Sequence, residues 1–134
     1  MKKRIAAIAM AGVTLVSVIA TSPGANAVSN ASWSSGKVTR AVLWENYNGG
    51  HKLTVLGTGN CTASTSDADT VMSWMGDRGW NDVVSGAQDF AGCDVDLFTN
   101  LGYGGVSTGY VNYGQNIGYV GASLNDRASS FKIS

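Results

Sequence analysis

Two short segments of the chain carry oxygen-bearing side chains at the same spacing. Residues 125–130 read Asn-Asp-Arg-Ala-Ser-Ser, and residues 81–86 read Asn-Asp-Val-Val-Ser-Gly. Hard oxygen donors of this kind are the ligands that Ca²⁺ selects. A single such segment is more often a turn, because Asn, Asp and Ser side chains bond to the local backbone. Its repetition just before two hydrophobic stretches favours a cation site made by two repeats that exchange ligands.

The N-terminus has the organisation of a secretory signal peptide. Residues 2–4 are Lys-Lys-Arg, residues 5–20 are almost entirely apolar, Pro23-Gly24 break the run, and residues 25–27 read Ala-Asn-Ala. This order of basic, apolar and small-residue regions is that of a cleaved leader. The apolar run approaches the length of a transmembrane anchor, but the cleavage pattern and the lack of a second apolar segment favour a signal peptide. We expect a secreted mature chain that begins at Val28.

The charge and the size of the mature chain narrow its function. The full sequence has nine Lys and Arg against nine Asp and Glu. All three charges of the signal peptide are basic, so the mature balance is six against nine, or −3. This sign, together with the lack of a basic patch, excludes a nucleic-acid binder. A chain of this size makes one domain, and we expect a monomer without a membrane anchor.

The two cysteines, Cys61 and Cys93, both lie in the exported part of the chain. In an oxidising compartment such a pair forms a disulfide by default. Closing a loop of about 33 residues would stabilise the fold by about 3–4 kcal/mol on the loop-entropy model. A thiol nucleophile or a zinc pair is the alternative, and no His or Cys partner stands nearby for either. We therefore predict a disulfide.

Short apolar segments, many glycines and a single proline are typical of a compact antiparallel β protein with tight turns. Residues 28–37 are rich in Ser and Asn, which predicts a flexible arm with Trp33 as a docking point. One short helix is predicted from Ser66 or Asp67 to Met75, with Gly76 as its stop. Strands are predicted at residues 38–45, 51–56, 95–99, 106–113, 117–120 and 131–133.

The two halves of the mature chain follow one plan. Residues 38–92 and residues 93–134 each read strand, glycine-rich hairpin, strand, loop, Asn-Asp-x-x-Ser and strand. Two such units with Greek-key connections would pack as an all-β sandwich. No linker rich in Pro or Ser separates the halves, so we expect them to share one core.

These motifs resemble the βγ-crystallin superfamily. Phe98-x4-Tyr103-x-Gly105 matches the aromatic-x4-aromatic-x-Gly signature of its Greek-key motifs, and residues 125–130 match its calcium pattern at every position. Residues 44–50 look like the same hairpin shortened by one residue and without its second aromatic, and residues 81–85 fit the calcium pattern. The resemblance covers roughly residues 38–134 and implies two Greek-key motifs in one β-sandwich.

The resemblance also implies two Ca²⁺ ions held by exchange, with the hydroxyl of one repeat facing the acidic loop of the other. The implied side-chain ligands are Asp82, Ser85, Asp126 and Ser129. The implied carbonyl ligands belong to Glu45, Val83, Thr99 and Arg127. Loop support is assigned to Asn81, Asn125 and Ser130. Few formal charges at each site predict an affinity in the micromolar to sub-millimolar range of extracellular modules.

The first motif departs from the family at its sixth position, where Gly86 stands in place of Ser. A glycine has more backbone freedom to lose when a loop becomes ordered, at a cost of about 0.5–1 kcal/mol. We therefore expect Gly86→Ser to tighten calcium binding several-fold, provided that the backbone there does not need a positive φ.

The sequence holds no convincing catalytic constellation. His51 is the only histidine and falls at a predicted hairpin, and no serine lies in a Gly-x-Ser-x-Gly elbow. The glycine-rich turn at residues 102–105 is not followed by a helix, which excludes a phosphate-binding loop. We predict that the protein is not an enzyme and that calcium stabilises it outside the cell.

Other functions stay open at this point. Some small exported proteins that resemble this fold inhibit metalloproteinases or act as killer toxins, and no residue here selects a target. Most of the four tryptophans and five tyrosines should pack in the core or at the Greek-key corners. An exposed subset would offer a face for an extracellular protein or a carbohydrate, with Tyr103, Tyr110, Tyr113 and Tyr119 as the candidates.

Overall fold

Strands supply most of the regular structure. The computed structural model describes residues 28–134, and the expected signal peptide at residues 1–27 lies outside the described residues. Two short 3₁₀ helices accompany the strands, η1 Met75–Arg78 and η2 Leu101–Tyr103. The strands of the described part are, in chain order, β1 Ala31–Trp33, β2 Val38–Asn46, β3 Gly49–Gly57, β4 Thr70–Met72, β5 Gly86–Asp89, β6 Val95–Phe98, β7 Gly118–Tyr119 and β8 Ser130–Ile133.

The strands form two sheets that exchange one strand each. One sheet has the order β1-β3-β2-β5-β7, and the other has the order β4-β8-β6. Strand β4 comes from the first half of the chain but lies in the sheet of the second half, and β7 makes the opposite crossing. Each pairing is antiparallel except that of β1 with β3. This crossed connection confirms the predicted all-β sandwich of two Greek-key motifs.

The core lies between the two sheets. In β3, Leu53 and Val55 are fully buried while the residues between and after them are partly exposed, as expected for a strand with one face on a core. Leu97 and Phe131 reach the same cluster from the other sheet. Because one cluster contains side chains from both halves, the two repeats share a single core.

The prediction of a short helix that ends at Met75 is wrong. Thr70–Met72 instead forms strand β4, and its burial alternates between buried, exposed and buried residues. The apolar residues at 71, 72, 74 and 75 suggested a helical face, but the β-branched Thr70 and Val71 fit a half-buried strand better. The short 3₁₀ helix η1 follows, and Gly79, with φ +71°, ends it rather than Gly76.

The return strand predicted at residues 106–113 is only partly formed. Two isolated bridges, Val95 with Val111 and Phe98 with Ser107, replace a continuous ladder. Gly109, with φ +67°, interrupts the extended backbone between them. The Thr108 hydroxyl accepts the Leu97 N–H at 2.9 Å. The segment is therefore held beside β6 by side-chain bonds as well as by backbone bonds.

Two long-range ties join the loops to the sheets. Part of the expected N-terminal arm forms β1, and the Trp33 indole N–H donates to the Val71 carbonyl at 2.8 Å. The predicted disulfide is present, with Cys61 and Cys93 sulfurs 1.97 Å apart and their Cα atoms 5.1 Å apart. Among residues 28–134, no helix has the length and apolar character needed to cross a membrane.

Candidate calcium site

The two Asn-Asp-x-x-Ser loops lie side by side and bond to each other. The Asp82 N–H donates to the Ala128 carbonyl, and the Asp126 N–H donates to the Val84 carbonyl, each at 3.0 Å. Both aspartates have left-handed backbone, with φ +59° at Asp82 and +54° at Asp126. Asp and Asn tolerate this conformation better than most residues. The two motifs are therefore related by an approximate twofold axis.

One serine–aspartate pair crosses between the repeats. The Ser85 hydroxyl donates to the Asp126 Oδ1 atom at 3.1 Å. Two oxygens bound to one Ca²⁺ at about 2.4 Å, and separated by this distance, would subtend about 80° at the ion, an ordinary angle between neighbouring ligands. Ser85 is buried and Asp126 is exposed. The pair is therefore open to solvent on the Asp126 side and packed against the protein on the Ser85 side. The donor set and its spacing fit calcium.

The corresponding pair of the other repeat has the same surroundings without the bond. Within the described residues no hydrogen bond joins the Ser129 hydroxyl to Asp82. The backbone is equivalent, since the Ser129 N–H donates to the Phe98 carbonyl at 2.8 Å and the Ser85 N–H donates to the Trp44 carbonyl at 2.9 Å. Each serine thus lies beside the residue that precedes an implied carbonyl ligand, Glu45 or Thr99.

Side chains at these two ligand positions brace their own hairpins. The Glu45 carboxylate accepts the His51 N–H at 3.2 Å and lies 2.7 Å from the His51 Nδ1 atom. The Thr99 hydroxyl accepts the Val106 N–H at 2.9 Å. The hydrogen bond from His51 lowers the pKa of the Glu45 carboxyl below its ordinary value. The six-residue separation in the first hairpin, against seven in the second, agrees with the predicted shortening.

The residues assigned to loop support lie next to the acidic residues. The Asn81 amide donates to the Asp82 Oδ2 atom at 3.0 Å, and the Asn125 amide makes the equivalent contact with Asp126 at 3.4 Å. These bonds orient each carboxylate. The Asn81 Oδ1 atom is buried and has no hydrogen-bond partner in the described structure, so the first loop is the less completely satisfied of the two.

Ser130 fastens the second hairpin to its loop. Its hydroxyl donates to the Asn100 carbonyl at 2.6 Å and accepts the Tyr103 N–H at 3.0 Å. The Tyr103 ring packs edge to face on Phe98, with ring centroids 5.9 Å apart. These are the two aromatic residues of the Greek-key signature. Ser130 therefore supports the hairpin that carries the Thr99 carbonyl.

Gly86 occupies the position equivalent to Ser130, and the structure argues against the expected gain from Gly86→Ser. A Cβ atom added there would lie 2.6 Å from the Ile117 Cγ2 atom and 3.0 Å from the Tyr47 Cα atom. The backbone of Gly86 does not have a positive φ. The glycine is therefore required by space, because the shortened first hairpin brings its backbone against the loop.

The charge at the two sites is low. Among residues 28–134, no group of three or more His, Cys, Asp or Glu side chains is placed to hold a metal ion. Each implied site has one carboxylate, with hydroxyl and carbonyl oxygens as its other protein ligands. Such a set suits a hard cation that accepts neutral oxygens and does not suit zinc, which prefers His and Cys.

Sequence reasoning missed the roles of two residues on the first hairpin. His51 falls at the predicted hairpin with no partner assigned to it, and in the structure it is half exposed and pairs with Glu45. Tyr47 has a ring centroid 6.3 Å from that of Tyr119, although the two residues are far apart in the chain. The only sequence signal for either contact is the shortening of this hairpin.

Comparisons with known proteins agree with this geometry at the level of the fold. No protein-family model and no curated protein matches the sequence. The β/γ-crystallin of Ciona intestinalis has a similar structure, with a TM-score of 0.50 and 24% identity, over 71% of this chain and 99% of that chain. A double mutant of clostrillin in complex with nickel gives a TM-score of 0.51 and 22% identity, over 72% and 98%.

A third solved structure, with the eye-lens βγ-crystallin domain fold, gives a TM-score of 0.51 and 18% identity. It covers 76% of this chain and 92% of that chain. The described residues therefore have the βγ-crystallin fold, as the motif resemblance predicted. The nickel belongs to the clostrillin mutant alone.

Proposed function

We propose that the chain is a secreted, non-catalytic module that binds two calcium ions between its βγ-crystallin repeats. The observation that carries the proposal is the hydrogen bond of 3.1 Å between Ser85 of one repeat and Asp126 of the other. A turn-forming role alone would explain local backbone bonds. It would not explain why the hydroxyl of one motif meets the carboxylate of the other.

Each ion would take its protein ligands from both repeats. Ser85 and the Glu45 carbonyl belong to the first repeat and would join Asp126 and the Arg127 carbonyl from the second. Bound Ca²⁺ supplies positive charge that neutralises the carboxylate and ties the loops together. Ser129 and the carbonyls of Thr99 and Val83 would join Asp82 in the other site.

Calcium would then act as a stabiliser of the folded chain. A ligand that binds only the folded state at about one hundred times its Kd adds about 2.7 kcal/mol per site to the free energy of unfolding. Extracellular calcium is abundant enough for sites of moderate affinity to fill. The buried side of each site is already built by Ser85 and Ser129, so binding needs little rearrangement.

Two further observations support export and a lack of catalysis. The disulfide between Cys61 and Cys93 suits an oxidising compartment, in agreement with the leader pattern at residues 1–27. It also removes both thiols as nucleophiles. The single histidine is held by Glu45 on an exposed hairpin, and no hydroxyl or thiol bonds to it within the described residues. N-terminal sequencing of the exported protein should give Val28.

Thermal unfolding with excess calcium and with chelator tests the calcium proposal. We expect the melting temperature to rise with calcium, and Ser85→Ala or Ser129→Ala to reduce the rise by weakening one site each. In chelator, only Ser85→Ala should lower stability, by about 0.5–1.5 kcal/mol, because only Ser85 has a cross-repeat bond to lose. Ser123→Ala, at an exposed serine outside both motifs, is the control. Equal melting temperatures in calcium and chelator would refute the proposal.

A further inference from the structure

Two tyrosines form an exposed aromatic corner that the calcium proposal does not use. Tyr47 is 63% exposed and Tyr119 is 52% exposed. Their ring centroids lie 6.3 Å apart and their planes meet at 73°. Rings at this angle form a corner rather than a flat platform, and the open cavity that they line has a volume of about 440 Å³. The two rings form one small exposed apolar patch.

The corner is rigidly built. Tyr47 lies in the tight turn between β2 and β3, and its backbone presses against Gly86. Tyr119 belongs to β7 and pairs directly with Gly86. One glycine thus holds both tyrosine backbones in place. A preformed pair of rings loses little conformational entropy when it takes up a ligand.

Exposed amide side chains stand near both tyrosines in the sequence. Asn46 and Asn48 flank Tyr47 in the sequence, and Gln115 and Asn116 lie just before β7. All four are exposed. The Gln88 side chain donates to the Gln115 carbonyl, and its own oxygen accepts the Trp44 indole N–H at 2.6 Å. Neutral donors and acceptors therefore lie on the segments that carry the two rings, and the loop before β7 is anchored at Gln115.

We propose that this corner binds a glycan built of pyranose rings. A pyranose has an apolar C–H face that packs on an aromatic ring, and hydroxyl groups that bond to amides. Small-ligand sites combine an apolar floor with a few polar groups in this way.

The size of the corner argues against a protein partner. A fully exposed aromatic side chain can bury about 150–250 Å². Because Tyr47 is 63% and Tyr119 is 52% exposed, the pair can contribute only about 170–290 Å². A stable protein interface needs about 800 Å² on each partner. A ligand of one or two sugar rings matches the area that is present.

Titration with cellohexaose and chitohexaose, together with pull-down on insoluble cellulose and chitin, tests the proposal. We expect binding to at least one of these glycans. Tyr47→Ala and Tyr119→Ala should each weaken it about tenfold, the scale of losing one well-packed aromatic contact. Tyr47→Phe should bind as the wild type does, because it keeps the ring. Leu101→Ala is the matched control, since Leu101 is 64% exposed on the second hairpin.

The design separates this inference from the calcium proposal, on which it does not depend. Each titration is run with calcium and with chelator, and glycan binding should persist in both. Circular dichroism and melting of every variant verify folding. The inference is overturned if none of the four glycans binds to the wild type. It is also overturned if Tyr47→Leu and Tyr119→Leu bind the glycans as well as the wild type does. A third contrary outcome is that the alanine variants abolish self-association and leave glycan binding unchanged.

Discussion

The two hairpins of the molecule are each held against a neighbouring segment, but by different contacts. In the second repeat, Ser130 bonds to the Asn100 carbonyl and the Tyr103 N–H and so fixes the hairpin to its loop. In the first repeat, Gly86 leaves room for the hairpin backbone to press directly against the strand. The comparison teaches that a departure from a motif can be compensated by a length change in a neighbouring hairpin.

The same contrast extends to the base of each hairpin. The brace in the first repeat is the ionisable pair of Glu45 and His51, and in the second it is the neutral hydroxyl of Thr99. Both accept an N–H from the returning segment of their own hairpin. The first repeat therefore depends on close packing and on a charge, whereas the second depends on neutral hydrogen bonds.

Gly86→Ser is the variant that should have the largest effect on this comparison. The added side chain must displace Ile117 and the backbone at Tyr47, and overpacking of this kind costs about 1–3 kcal/mol. We expect lower stability in urea and weaker calcium binding, the opposite of what the motif alone suggests. Gly59→Ser is the control, since an added Cβ there would meet nothing within 4 Å. A Gly86→Ser variant as stable as the wild type would show that contact does not replace the serine.

Ser130→Ala should cause a smaller loss of stability. It would leave the second repeat, like the first, without a serine hydroxyl at this position. The Asn100 carbonyl and the Tyr103 N–H would both lose a partner at a fully buried serine, at a cost of about 1–2 kcal/mol. Calorimetric calcium titration should show one site weakened, the one that uses the Thr99 carbonyl. Weakening of both sites equally would mean that Ser130 supports the whole fold rather than one hairpin.

The sequence predicted the parts of this structure that depend on repeated local patterns. Glycines at the hairpins and paired Asn-Asp-x-x-Ser segments were sufficient to predict two Greek-key motifs, because turn chemistry and strand alternation act locally. Strand β4 was missed because it has three residues, which are too few to show the alternation of a strand, and because it is held by tertiary pairing. The need for glycine at position 86 was missed because it arises from Ile117 and Tyr47, which are distant in sequence and meet only in the fold.

The smallest expected effect is a pH dependence confined to the first repeat. The bond from His51 lowers the Glu45 pKa, so folding favours the ionised carboxylate. This contribution is fully present above the ordinary pKa of about 4.5 and is lost as the pH falls through the lower folded pKa. Since the Glu45 side chain is still about a third exposed to solvent, the change in stability should be slight.

Carboxyl titration by NMR measures this directly in the presence of chelator. His51→Ala should raise the Glu45 pKa toward its ordinary value, and Glu45→Gln should remove its part of the acid dependence of melting. Thr99→Val should instead loosen the second hairpin equally at every pH, because the Thr99 hydroxyl does not titrate in this range. An unchanged Glu45 pKa in His51→Ala would mean that the bond from His51 does not brace the first hairpin, and the contrast between a charged and a neutral brace would fail.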